Sequence, residues 1–364
     1  MIKIPISKPS LGLKEKQYLN EAIDSGWISS KGKFIEEFEK EFANYCGTKY
    51  AITTCNGTTA LHLALLALNI KDGDEVIIPD LTFVATANSI LFQNAKPIIV
   101  DVLHDSLCIN PSLIESKISS RTKAIMPVHL YGHPADMKNI NEIAKKYNLF
   151  VIEDAAEAHG AEFEGKKVGS IGDIGVFSLF GNKIITSGEG GVITTNSFEI
   201  ANRIKFLRDH GMSPIKKYWH TELAYNYRMT NLQAAIALAQ LERIDDIILK
   251  KKLIFDWYKE FLSDFKEIKL NFSSNNVSNV YWMITMQFDA FTENTRNEFI
   301  KKLEDAGIES RPFFYPISDM PYFTKSDTII THEKYKIGIN LPTFYEITKN
   351  EVEYVCSTII NILK

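Results

Sequence analysis

Little in this sequence points toward a polyanion, a membrane or an oxidising compartment. Its 364 residues carry 41 Lys and Arg against 45 Asp and Glu, a net charge of -4, so no positive field is available to hold nucleic acid nonspecifically. No apolar run is long enough to cross a bilayer. The opening stretch MIKIPISKPSLG is broken by Lys3, Pro5, Lys8 and Pro9, where a signal peptide would need unbroken apolar residues. A cytoplasmic protein with no nucleic-acid or membrane partner is the expectation. Cys46, Cys55, Cys108 and Cys356 are far apart and form no CxxC pair, so neither a zinc site nor a disulfide framework is signalled. Internal repeats and low-complexity linkers are absent.

Two phosphate-binding signatures are also missing. No GxGxxG follows a strand-like run, which removes the main support for a nicotinamide oxidoreductase. GWISSKGK has five residues between its glycines rather than four, and no Ser or Thr follows the Lys, which argues against an NTPase. His129 and His133 are four apart, but Gly132 and Pro134 interrupt any helix face between them, and no metal is expected there.

What remains is a chain with 45% apolar residues, enough for a sizeable core and two domains. From about residue 33 to 210, helix-like and strand-like patterns alternate. Phe34, Phe38 and Phe42 recur at helical spacing, and ALHLALLAL reads as a buried helix. The short apolar runs EVIIP, KPIIVDV, KAIMPVHLY, LFVIED, GVFSLF and GGVITT read as strands of a largely parallel sheet covered on both faces, with an antiparallel member expected near residue 183. TNLQAAIALAQLERIDDIILKK predicts one long helix capped by Thr230, linking this region to a smaller α+β domain that starts near residue 246.

In an open parallel sheet the carboxyl ends of the strands are where chemistry collects. Asp154 ends the run VIED, and Lys183 lies 29 residues later in FSLFGNKIITSGEGG. An amine able to form an imine and a carboxylate able to keep a pyridine nitrogen protonated are the two groups that pyridoxal phosphate (PLP) chemistry requires. Ser178 supplies a hydroxyl nearby, and Gly188, Gly190 and Gly191 allow the backbone to bend after the lysine. Gly57, Thr58 and Thr59 open a helix whose free N–H groups suit a phosphate. Phe83 follows a strand and could stack on the cofactor ring.

NGTTALHLAL, IIPDLTFVATAN, VIEDAAEAHG, FSLFGNKIITSGEGG, YNYRMTNLQAA and RPFFYP together resemble the DegT/DnrJ/EryC1/StrS family of PLP-dependent nucleotide-sugar aminotransferases, over nearly the whole chain. The resemblance implies an α/β, type I (aspartate aminotransferase-like) fold: a large domain over residues 1–245 with a mainly parallel seven-stranded sheet, and a smaller C-terminal α+β domain over 246–364. An arm of about residues 1–30 is expected to pack with the small domain. The resemblance also implies a homodimer with both active sites at the interface, and PLP cycling through pyridoxamine phosphate. It makes Lys183 the cofactor anchor and Asp154 the partner of the ring nitrogen. Gly57, Thr58 and Ser178 would hold the phosphate, with Asn226 entering from the other subunit; Phe83 would stack on the ring and Glu157 would lie near its phenolic oxygen.

Trp27, Ser29, Lys31 and Arg311 fall where the family meets the nucleotide sugar, and L-glutamate is the implied amino donor. WISSKG, FGNK, GEGG and RPFFYP point within the family to amination at C4 of GDP-4-keto-6-deoxy-D-mannose; a UDP- or dTDP-linked keto sugar is the alternative. A deoxygenating PLP enzyme is disfavoured by Lys183, where the family's dehydratases carry histidine. A PLP-binding regulator is disfavoured by the lack of a helix-turn-helix segment or basic face. Two departures stand out: Ile317-Ser318 follows RPFFYP where close relatives often have a histidine, and the chain is shortened before Gly338.

Overall fold

The protein is described from a computed structural model that covers residues 4–364; of the residues weighed in the signal-peptide reading, Lys3 lies outside the described residues. A seven-stranded sheet forms the centre of the larger part, in the order Tyr50–Thr54, Gly191–Thr195, Ile174–Ser178, Phe150–Asp154, Thr122–Ile125, Glu75–Pro79, Lys96–Val100. Gly191–Thr195 pairs antiparallel with both of its neighbours, and the remaining pairings are parallel. Of the seven, only Tyr50–Thr54 was not among the strand-like runs read from the sequence.

Adjacent residues on each strand serve opposite faces. Ile77, Ile125, Val151 and Val192 join one apolar cluster, while Val76, Ile78, Ile152 and Ile193 join another. Continuous apolar strands are therefore what a sheet covered by helices on both sides requires. The helix Lys33–Cys46 buries Phe34, Phe38 and Phe42 on one side, in line with their spacing. Each such side chain contributes roughly 1.5–3 kcal/mol by leaving water.

The long helix predicted after Thr230 is two helices. Thr230 caps the first, Asn231–Leu241, by accepting from the Gln233 N–H. The second, Ile244–Phe261, begins after a break at Arg243, whose φ of -120° and ψ of 13° leave the helical region. Arg243 donates to the Ser10 hydroxyl at 2.9 Å and so ties the break to the N-terminal segment. The turn lets Ile244, Ile247 and Ile248 pack on the large sheet's cluster while Ile254 and Tyr258 enter a third cluster. An apolar repeat that continues through both halves hides the two-residue interruption at Glu242 and Arg243.

That third cluster lies against a four-stranded antiparallel sheet, ordered Ile268–Leu270, Ile284–Phe288, Gly338–Leu341, Arg311–Pro312. The helices Glu293–Asp305 and Lys349–Leu363 each carry a Thr cap and feed this core. Ile4 pairs with Ile308, and Glu309 N–H donates to the Ile4 carbonyl at 2.9 Å, so the start of the described chain is stitched to its C-terminal part.

Candidate active site

The strands Phe150–Asp154 and Ile174–Ser178 end side by side, and a cavity of about 450 Å³ opens beyond them. Its walls come from both parts of the chain: Asp154 and Ser178 at strand ends of the large sheet, Glu157 and Lys183 on the loops that follow, Trp282 just before the strand Ile284–Phe288, and Arg311 and Asn340 on the smaller sheet.

Asp154 is buried and accepts two hydrogen bonds, from the Thr86 hydroxyl at 2.8 Å and the Ala156 N–H at 3.2 Å. Burial pushes its carboxyl above the usual range, against those bonds and the nearby Lys183 charge. Burying a carboxylate is costly without a cation to face it. Lys183 projects into the same space with a side chain 12% exposed; its Nζ is 3.7 Å from Glu157 Oε1 and 4.1 Å from the centre of the Trp282 ring. Burial lowers the amine's proton affinity, while Glu157 and Asp154 act to raise it. Glu157 accepts the Tyr131 N–H at 2.9 Å, and burial pushes its carboxyl up to about 7. Two acids and one amine thus share a space that disfavours charge on each of them.

On the opposite side, Asn56 caps the helix Gly57–Ala67 by accepting the Thr59 N–H at 2.9 Å. The N–H groups of Gly57 and Thr58 stand at the first two helical positions, where no helical carbonyl is available to them. A Cβ on Gly57 would lie 2.8 Å from the Ser178 Cβ, so only glycine lets helix and strand end meet this closely. The pair forms a cradle of donors at a positive helix end.

Phe83 lines the cavity and is 54% exposed, with Phe314 5.9 Å away, centre to centre. Lys183 is carried on the loop between the antiparallel strands, which Gly190 closes at φ +157°; a Cβ there would strike Ser187 Oγ at 2.7 Å.

The candidates read from the sequence separate into two groups. Gly57, Thr58, Phe83, Asp154, Glu157, Ser178, Lys183 and Arg311 converge on the cavity. Asn226, Trp27, Ser29 and Lys31 are exposed and outside it. Asn231, buried, holds the segment that carries the last three: its amide donates to the Trp27 carbonyl at 2.7 Å and its backbone N–H donates to the Ser29 carbonyl at 2.6 Å. Thr86 and Trp282 were missed. Thr86 could have been found three residues after Phe83, one helical turn into FVATAN; Trp282 carried no local signal.

A largely enclosed lysine beside buried acids and a helix N-terminus, at the carboxyl ends of a mainly parallel sheet, is the arrangement of a type I PLP-dependent transferase. Residues 9–360 match the DegT/DnrJ/EryC1/StrS aminotransferase family, and the chain belongs to it. It is 47% identical over 363 residues, 98% of this chain and 97% of the relative, to GDP-perosamine synthase of Escherichia coli O157:H7. It is 46% identical over 365 residues to the Caulobacter vibrioides protein of the same name, covering 99% of this chain and 98% of the relative. Among solved structures, a proposed sugar aminotransferase of Streptococcus pneumoniae in its PLP form superposes with a TM-score of 0.93 at 26% identity, covering 99% of this chain and 98% of that one. The same protein is also known in a pyridoxamine phosphate form.

Proposed function

We propose that this enzyme transfers the amino group of L-glutamate to C4 of GDP-4-keto-6-deoxy-D-mannose, giving GDP-perosamine. The observation that carries this reading is near-full-length identity of 42–47% to three proteins named GDP-perosamine synthase, joined to a cavity holding Lys183 and Asp154.

The cavity suits PLP. Among the described residues two donors reach the Asp154 carboxylate and no cation pairs with it directly, and its proton affinity is raised; a protonated ring nitrogen would supply a cation in direct contact. The N–H groups of Gly57 and Thr58 with the Ser178 hydroxyl would take the phosphate, and Phe83 would cover a ring face. Lys183 would anchor the aldehyde carbon, with Glu157 beside the phenolic oxygen. When bound, PLP accepts electrons from the carbon that loses its proton and carries the amino group from donor to acceptor.

The residues' own tasks follow from their environments. Lys183, its amine shifted toward the neutral form by burial, takes a proton from the donor's Cα and returns one to the sugar's C4. Asp154 would stay anionic against a protonated pyridine nitrogen, which would keep the ring an electron acceptor. Thr86 and the Ala156 N–H hold the carboxylate in place for that contact. Arg311, half exposed at the cavity wall and paired with Glu309 at 2.9 Å, would meet an anionic substrate group.

The working unit in this reading is a homodimer. Phe83 and Phe180 are 54% and 47% exposed at the mouth of the cavity, and Tyr218, Trp219 and Leu223 are open on the segment leading to Asn226. Asn226 would complete the phosphate site of the partner, and Trp27, Ser29 and Lys31 would meet the nucleotide sugar. A cytoplasmic enzyme belongs to the same reading, because its proposed substrates, a nucleotide sugar and glutamate, are water-soluble.

The test is turnover of GDP-4-keto-6-deoxy-D-mannose with glutamate, measured against the UDP- and dTDP-linked keto sugars. Formation of a GDP-amino sugar and an equal amount of 2-oxoglutarate is expected, and a preference for either pyrimidine nucleotide would overturn the assignment. Mixing a Lys183→Ala chain with an Asn226→Ala chain should restore activity in one site per mixed dimer; no recovery would count against the shared interface.

A further inference from the structure

Trp282 lies two residues before the strand Ile284–Phe288, 99 residues after Lys183 in the chain, yet its ring centre lies 4.1 Å from the Lys183 Nζ. Only 4% of the residue is exposed. Its indole N–H donates to the carbonyl of Asn182, the residue immediately before the lysine, at 2.7 Å. Its backbone carbonyl accepts from Lys251 Nζ at 3.0 Å. Lys251 is buried as well, and donates also to the Thr343 carbonyl at 2.7 Å and hydroxyl at 3.3 Å. From the other side, Gly132 at φ +94° brings its Cα against the backbone of Tyr281 and Trp282, so close that a Cβ would lie 2.8 Å from the Trp282 nitrogen. The ring is therefore locked at the backbone, at its indole nitrogen and by its neighbours.

We propose that Trp282, braced by Lys251, is the positioning residue of the reactive amine: its π face and the Glu157 carboxylate bracket Lys183 Nζ and favour positive charge there. Tryptophan offers the strongest π face for a cation. A lysine stem has freely rotating bonds, and the indole restricts them by closing one side of the amine's space. The charged and titratable groups around Nζ are Glu157 and Asp154, which favour the cation, and buried His159, which shares its surroundings. Arg311 and Glu189 line the same cavity. Lys251 shares with Lys183 a second, smaller cavity of about 20 Å³. Burial lowers the Lys251 amine to about 7, so near neutral pH its oxygen partners hold it more than its charge does.

This inference rests on Lys183 being the cofactor anchor, and the test separates the two. The holoenzyme reconstituted with PLP is titrated with pH while its visible absorption band is followed, for wild type, Trp282→Leu, Trp282→Phe and Lys251→Met, with thermal melting as a check on folding. Loss of the π face should lower the band's pH midpoint in Trp282→Leu by roughly 0.5–1 unit. Trp282→Phe, which keeps a weaker face and is the gentler change, should fall between it and wild type. Lys251→Met should shift the midpoint in the same direction by less. A wild type without a pH-sensitive visible band would sink the anchor reading and this one together. A wild-type band whose midpoint Trp282→Leu and Trp282→Phe leave in place overturns the role of Trp282 alone. A midpoint that rises in them does the same, because it would mean that the ring acts by excluding water. A Lys251→Met protein that melts lower with an unmoved midpoint removes the brace.

Discussion

Glu153 and Asp154 are consecutive acids at the end of one strand, and both are buried, but their surroundings differ in kind. Glu153 accepts from the Gly169, Ile171 and Gly172 N–H groups at 2.8, 2.8 and 2.6 Å, and from His129 Nε2 at 3.0 Å. A Cβ on Gly172 would press to 2.8 Å from the Val151 carbonyl, so the turn wraps the carboxylate as tightly as a chain can. On the other face, Asp154 has two donors and then an open cavity. A buried acid whose oxygens are saturated by fixed donors is part of the architecture. One left partly unsatisfied toward a cavity is available to a ligand.

The comparison can be broken by experiment. Lys183→Ala should abolish turnover while leaving the melting temperature near wild type; retained turnover would remove the lysine from the chemistry. Glu153→Gln should cost about 3–5 kcal/mol of stability, because one member of a buried charge-and-donor set is lost. Chemical denaturation would show it. Asp154→Asn should do the reverse, with stability within about 1 kcal/mol and kcat lower by roughly 10²–10³, the loss typical of a preorganised charge partner. If the two variants behaved alike, the distinction between saturated and open acids would fail here.

Glu157 gives a smaller effect that depends on pH. Its folded-state proton affinity is raised by burial to about 7 from an ordinary value of 4.5. The stability it contributes in the cofactor-free protein is therefore fully present below about 4.5 and lost as pH rises through about 7. Glu157→Gln should flatten that decline by on the order of 2–3 kcal/mol, as seen in melting temperatures across the window. An unchanged slope would place the raised carboxyl elsewhere. Thr86→Val, removing one of the two bonds to Asp154, should cost about 1.5 kcal/mol of barrier, roughly a tenfold fall in kcat with little change in folding.

Much of this was legible in the sequence where chemistry demands a residue type. An imine needs an amine, and Lys183 stands beside the glycines that let its loop turn. Asp154 could be singled out because it ends a strand run. The strands were legible because burial on both faces leaves continuous apolar stretches. The break at Arg243 was not, since periodicity continues across it, nor was the strand Tyr50–Thr54, whose short YAITT run mixes in polar threonines. Trp282 and Asn231 escaped for a different reason: each acts on a segment far away in the chain, and no local pattern marks such a contact.

The order of the residues alone determined which atoms could do imine chemistry and which strands would lie in the interior, because reactivity and hydrophobic burial are properties of side-chain type and spacing. Only the tertiary structure decided that Asp154 would be left open while Glu153 was saturated, and that Trp282 would close over Lys183. Those outcomes depend on which distant donors and rings the packed sheets bring within a few ångströms.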